Sequence, residues 1–214
     1  MTPADYDAWY ETPRGRWIGT HEYRLVRREL DMRPGTSLLD VGCGTGWFTR
    51  RFAHSGLAVT GLDCDREALA FARAHATDDV AFVAGDARRL PFADGSFDQV
   101  VALTSLCFVD DWPLAIVEID RVARRRFVLG LLNRRSLLWR EKGRDGGQGA
   151  YRGAHWHTPG ELKRVLQALP LARTRLRSTV SLASASRLAR AIEPLLPARL
   201  LLGAFLVASA EKSG

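Results

Sequence analysis

Three glycines at alternate positions, Gly42, Gly44 and Gly46, stand just behind an acid, Asp40, and a short apolar run of Leu38, Leu39 and Val41. The pattern suits a site that holds a nucleotide or carboxylate against bare backbone. Without a Cβ the chain can bend tightly and let a ligand approach the main chain. A helix begun near Thr45 would aim its free N–H groups at that ligand. A second acid, Asp63, ends another apolar run at residues 57–62, 17 residues beyond the last glycine. In a βαβ unit the second strand ends beside the first, so Asp63 is expected at the same crevice, on the carboxyl edge of a sheet. A carboxylate there can accept two hydrogen bonds from vicinal ribose hydroxyls, each worth roughly 1.5–3 kcal/mol when charge-assisted. Asp65 is placed to cap the helix that follows, which leaves Asp63 free for a ligand. Cys64 is expected to line the base pocket as a small apolar residue.

The glycine spacing discriminates between sites. A dinucleotide fingerprint, G-x-G-x-x-G, would need its third glycine at position 47, where the chain has Trp47. The observed G-x-G-x-G behind Asp40 resembles motif I of the class I S-adenosylmethionine-dependent methyltransferases. A second stretch strengthens the resemblance: Gly85-Asp86 follows an apolar run at 80–84, and Leu90-Pro91-Phe92-Ala93-Asp94-Gly95-Ser96-Phe97-Asp98 leads into the next one. The resemblance covers residues 36–132 and is similar to the ubiquinone and menaquinone biosynthesis type of domain. It implies S-adenosylmethionine as cofactor, with S-adenosylhomocysteine as product. Its site would comprise Asp40, Gly42, Cys43, Gly44, Thr45 and Gly46, with Asp63 on the ribose, Asp86 on the adenine amino group and Ala87 as its backbone partner. It also implies a leading segment that closes over the cofactor through Tyr10 or Trp17.

The elements that must position these residues follow from periodicity. Apolar runs alternate with amphipathic stretches, which together with the resemblance predicts an α/β fold: a Rossmann-like, seven-stranded, mostly parallel sheet with helices on both faces and an antiparallel last strand. One domain is expected. Residues 1–35 form a helical lid broken at Pro13 and Gly15, with a helix from about Thr20. Residues 36–132 form the cofactor-binding core, 133–157 a substrate loop and 158–214 the remainder of the sheet, with strands near 173–182 and 201–209. The fourth strand runs into Thr104-Ser105-Leu106-Cys107-Phe108, which by topology borders the transferred methyl group. Thr158-Pro159-Gly160-Glu161 reads as a capping box.

Methyl transfer from a sulfonium needs a nucleophile held in line and water kept out, and it needs a base only for some acceptors. His155 and His157, after the glycine-rich part of the 133–157 loop, are the candidate bases or substrate contacts, with Trp156 between them. No metal is expected, because no further ligand stands at a recognisable spacing from the two histidines.

Composition bounds the partners. The 214 residues are 46% hydrophobic and 26% charged, as in an ordinary globular domain. No leader and no apolar run long enough to span a bilayer is evident, and three isolated cysteines argue against disulfides and structural zinc, so a cytoplasmic protein is expected. Of the net charge of +7, residues 121–152 carry +8, from ten basic and two acidic residues. Those arginines, with Trp139, Tyr151 and Trp156, leave an RNA acceptor as the alternative to a small organic one. A further alternative is a protein that keeps the cofactor pocket without catalysis. Nothing distinguishes a monomer from a homodimer.

Overall fold

The computed structural model describes residues 2–77 and 79–213. Two helices lead, α1 (Pro3–Trp9) and α2 (Pro13–Glu29). Then come β1 (Ser37–Val41), α3 (Trp47–His54), β2 (Ala58–Asp63), α4 (Arg66–His75), β3 (Ala81–Ala84) and β4 (Phe97–Leu103). The chain finishes with α5 (Trp112–Val122), β5 (Ala123–Leu132), α6 (Pro159–Gln167), β6 (Leu171–Thr179), α7 (Arg187–Ile192) and β7 (Phe205–Lys212). The strands form one sheet in the order β3-β2-β1-β4-β5-β7-β6. Pairing is parallel from β3 to β5, and β7 runs antiparallel between β5 and β6.

Successive strand residues point to opposite faces, and each face is covered. Leu39, Val100, Ala102, Phe127 and Leu129 pack with α5 and α6 on one side. Leu38, Val59, Val101, Leu103 and Val128 pack with α2 and α3 on the other. Because β1 lies between β2 and β4, the chain leaves β1 and β4 in opposite directions. The crevice at this reversal is where open α/β sheets bind ligands.

Several boundaries depart from expectation for local reasons. The first long helix starts at Pro13, not near Thr20: Pro13 occupies a first-turn position, where its missing N–H costs nothing, and Thr12 caps it by accepting from the Gly15 N–H. Gly15 does not break this helix. A Cβ there would lie 2.0 Å from the Trp9 carbonyl oxygen, so glycine is what lets α1 end against α2. β5 begins at Ala123, directly after α5, so Arg124, Arg125 and Arg126 belong to a strand. β6 ends at Thr179, and Val180 follows with φ of 63°. β7 starts only at Phe205, because Leu201 takes φ of 54° and the chain before it is irregular. Asp65 caps α4 and Asp111 caps α5. Thr158 and Glu161 form the reciprocal capping box of α6.

Candidate functional site

The carboxyl ends of β1, β2, β3 and β4 converge on a cavity of about 340 Å³. After β1 the chain turns through Gly42, whose N–H, with that of Cys43, donates to the Leu62 carbonyl at 2.6 and 2.9 Å. Gly42 has φ of 72°, and a Cβ on it would stand 2.1 Å from that of Ser105. Gly44, at φ of 52°, has nothing within 4 Å of where its Cβ would be, so its bare backbone faces open space. Its N–H donates to Asp63 Oδ2 at 2.7 Å, and the Asp65 N–H donates to the other oxygen of the same carboxylate at 2.9 Å. Asp63 is therefore held in place by the glycine turn.

Three carboxylates line the cavity, from Asp40, Asp63 and Asp86, and no lysine, arginine or histidine does among the described residues. Asp40 is 2% exposed. Burial pushes its carboxyl up to about 7, against the lowering effect of the Thr49 hydroxyl that donates to Oδ2 at 2.7 Å; the charge of Asp63 raises it further. Asp86 stands at the other end, half-exposed, with Ala87 and Cys64 beside it. Hydrogen bonds from the Arg88 side chain and backbone hold its carboxyl below the usual range.

The leading helices wall the cavity. Tyr6 and Tyr10, one helical turn apart, both line it, with hydroxyls 3.4 Å from each other. Tyr10 stacks on Trp47 at 4.1 Å between ring centroids. Asp7 fastens α1 to the glycine turn, accepting from Thr45 Oγ1 at 2.9 Å and from Arg50 at 2.8 and 3.0 Å. Asp7 and Val109 carry no signal in the sequence, and Tyr6, one of the leading aromatics with Trp9, Tyr10 and Trp17, is not assigned to the site there, although its four-residue step to Tyr10 is a usable signal.

At the far end β4 gives way to Thr104, at φ of 59°, and a 3-10 turn over Ser105–Phe108. Three residues per turn put Ser105 and Phe108 on one face, toward the cavity, and send Leu106 and Cys107 into the core. Leu106 is fully buried there, so it does not border the site as expected. Trp17 is half-buried against His21 and also stands outside the cavity, so of the two aromatics expected to cover it only Tyr10 lines it. Trp156 is buried against Tyr151, away from the cavity.

The two histidines separate. His157 is fully buried, with its backbone bonded to Leu132 and Arg134 and its ring edge-on to Trp112 at 4.6 Å. Neither ring nitrogen has a hydrogen-bond partner. Burial, with the neighbouring His155, lowers its basicity to about 3. Such a ring has neither access to the cavity nor the proton affinity of a base at neutral pH. Its folded value lies below the unfolded 6.5, so the stability it contributes is complete above 6.5 and is lost as pH falls toward 3, by at most about 5 kcal/mol. Replacing His157 with leucine should therefore flatten the acid limb of a urea-denaturation series between pH 6.5 and 4; an unchanged limb would refute this. His155 lies in an adjoining groove that shares Phe108 and Val109 with the cavity and also holds Asp110 and Trp112. Its Nε2 is 3.7 Å from Glu161 Oε1, and its N–H is anchored on the Cys107 carbonyl at 2.7 Å.

The basic segment loses much of its apparent excess on folding. Arg121 pairs with Asp94 and Glu118, Arg124 with Asp98, and Arg125 with Asp31, all acids from outside the segment. Among the described residues, no group of three or more His, Cys, Asp or Glu is placed to hold a metal ion, and no helix is long and apolar enough to cross a membrane.

Residues 39–129 match the methyltransferase domain family. The chain is 37% identical over 122 residues to malonyl-[acyl-carrier protein] O-methyltransferase of Erwinia pyrifoliae, covering 53% of this chain and 46% of that protein. It is 41% identical over 105 residues to demethylmenaquinone methyltransferase of Beutenbergia cavernae, covering 47% and 43%. The matches thus span less than half the length of these curated relatives. A solved S-adenosylmethionine-dependent methyltransferase of Thermotoga maritima, described as a possible histamine N-methyltransferase, superposes with a TM-score of 0.76 at 22% identity, covering 98% of this chain and 96% of that one, a likeness of fold. Residues 39–129 thus match a methyltransferase domain, and the seven-stranded sheet around it has the fold of that solved S-adenosylmethionine-dependent methyltransferase.

Proposed function

We propose that this chain transfers a methyl group from S-adenosylmethionine to a small organic acceptor. The observation that carries the proposal is the charge of the cavity: three carboxylates, no basic side chain among the described lining residues, and a glycine turn that presents open backbone. A pyrophosphate-bearing nucleotide would meet repulsion there, whereas a cofactor with an ammonium and a sulfonium is complementary to it. The residues fit such a group. Asp63 would hold the ribose hydroxyls, Asp86 and Ala87 the adenine edge, Cys64 the base face, and Asp40 with the turn from Gly42 through Cys43, Gly44 and Thr45 to Gly46 the amino-acid end.

The bound cofactor supplies an activated methyl group, so the chain's own work is positioning and exclusion of water. Tyr6, Tyr10 and Thr104 close the cavity toward the leading helices, and Phe108 and Val109 separate it from the adjoining groove. We place the acceptor in that groove. There His155, with Glu161 beside it, accepts the proton of an acidic acceptor, and Trp112 offers a flat apolar wall.

Calorimetric titration with S-adenosylhomocysteine, followed by a radiolabelled-methyl screen of small acceptors, tests the proposal. Micromolar binding and transfer are expected. Binding without transfer to any acceptor in a cell extract would favour a cofactor-binding protein without catalysis, and no binding would overturn the proposal. His155→Ala should leave the affinity for S-adenosylhomocysteine unchanged and lower turnover about 10²-fold or more. Equal turnover would remove His155 as the base.

A further inference from the structure

We propose that the segment at residues 187–202 is a docking surface for an anionic lipid bilayer. It joins β6 to β7, and since β6 runs parallel to β5, the segment lies over the carboxyl edge of the sheet, the edge that holds the cavity. It is tied to the start of α2: Arg14 Nε donates to the Ala183 carbonyl at 2.8 Å and Arg190 to the Pro13 carbonyl at 3.1 Å.

Its outward chemistry is unusual for a surface loop. Leu188, Leu195, Leu200 and Leu202 are 69%, 78%, 54% and 52% exposed. Single exposed leucines are ordinary, but four within one short segment leave apolar area that water does not favour. The exposed charges in the same segment are all positive: Arg187, Arg190 and Arg199, none paired with a carboxylate among the described residues. The one acid, Glu193, is turned inward, 6% exposed, and accepts the N–H groups of Ser181 and Leu182 at 2.9 and 3.2 Å. Leucine with arginine, and no outward acid, is complementary to lipid tails beneath anionic headgroups. An acceptor dissolved in the bilayer would then reach the site from the side on which the chain docks.

The test is sedimentation of the purified chain with vesicles of phosphatidylcholine alone or mixed with phosphatidylglycerol, at rising salt. Binding to the mixed vesicles is expected, weakening with salt, and at least about tenfold weaker for Leu188→Ser/Leu195→Ser and for Arg187→Gln/Arg199→Gln. These positions are exposed, so the thermal unfolding midpoint should not move, which separates lost docking from lost fold. No binding by the wild type, or equal binding by the leucine variant, would overturn the proposal. So would light scattering that finds a dimer dissolved by the leucine substitutions, since a second copy would then cover the surface.

Discussion

Asp63→Ala is expected to weaken S-adenosylhomocysteine binding by about 30- to 150-fold, which corresponds to about 2 to 3 kcal/mol. Two effects combine. The substitution removes the carboxylate that would take both ribose hydroxyls, and it frees the Gly44 N–H that now donates to Asp63 Oδ2 at 2.7 Å, loosening the turn on which the ligand would rest. The fold should survive, because Asp63 ends its strand and β2 keeps its pairing with β1 and β3. Asp63→Asn separates the two effects: its amide oxygen can still accept from Gly44, so the variant should keep the turn and lose mainly the charge-assisted part of the affinity. Calorimetry on the three proteins checks this, and an unchanged affinity in Asp63→Ala would move the ribose elsewhere.

Asp40→Asn should raise stability at pH 8 while leaving it nearly unchanged at pH 4. Burial holds the folded Asp40 carboxyl at about 7, above its unfolded value of 3.8. The folded state thus binds the proton more tightly, and the wild type loses stability as pH rises through this window, by at most about 4 kcal/mol. Asparagine removes the buried charge and can still accept from the Thr49 hydroxyl. Glu22, which burial pushes up to about 8, titrates nearby in pH, so the wild-type curve alone is not diagnostic and the difference between the two proteins is the quantity to measure. Urea denaturation at pH 4 and pH 8 gives it. The same variant should bind S-adenosylhomocysteine more weakly at pH 8, since a neutral amide cannot pair with the ligand's ammonium group. A variant no more stable than the wild type at pH 8 would mean that Asp40 is not desolvated.

Much of the site is legible in the chain because parallel βαβ units convert order along the sequence into position. A strand, a right-handed crossover and a second strand must bring their carboxyl ends together, so Asp40, Gly42, Asp63 and Thr104 are expected at one crevice, where the resemblance also sets Asp86, and all five line the cavity. The seven strands with β7 antiparallel are what the resemblance implies, and the sheet has them.

Other features depend on neighbours that are distant in sequence. His155 and His157 are two residues apart and alike on paper, yet one lies in a groove beside Glu161 and the other is sealed under Trp112 with neither nitrogen bonded. The arginines of residues 121–126 look like a basic patch until Asp31, Asp94 and Asp98 are folded against them. Tyr6 and Asp7 join the site only because α1 folds back over the glycine turn. By itself, then, the sequence determined the sheet, the glycine turn and the acids at the strand ends, because backbone periodicity and crossover handedness are local rules. Only the tertiary structure decided which histidine meets solvent, which arginines stay unpaired and which aromatics close the cavity, because solvation and charge pairing are set by whatever the fold brings within a few ångströms.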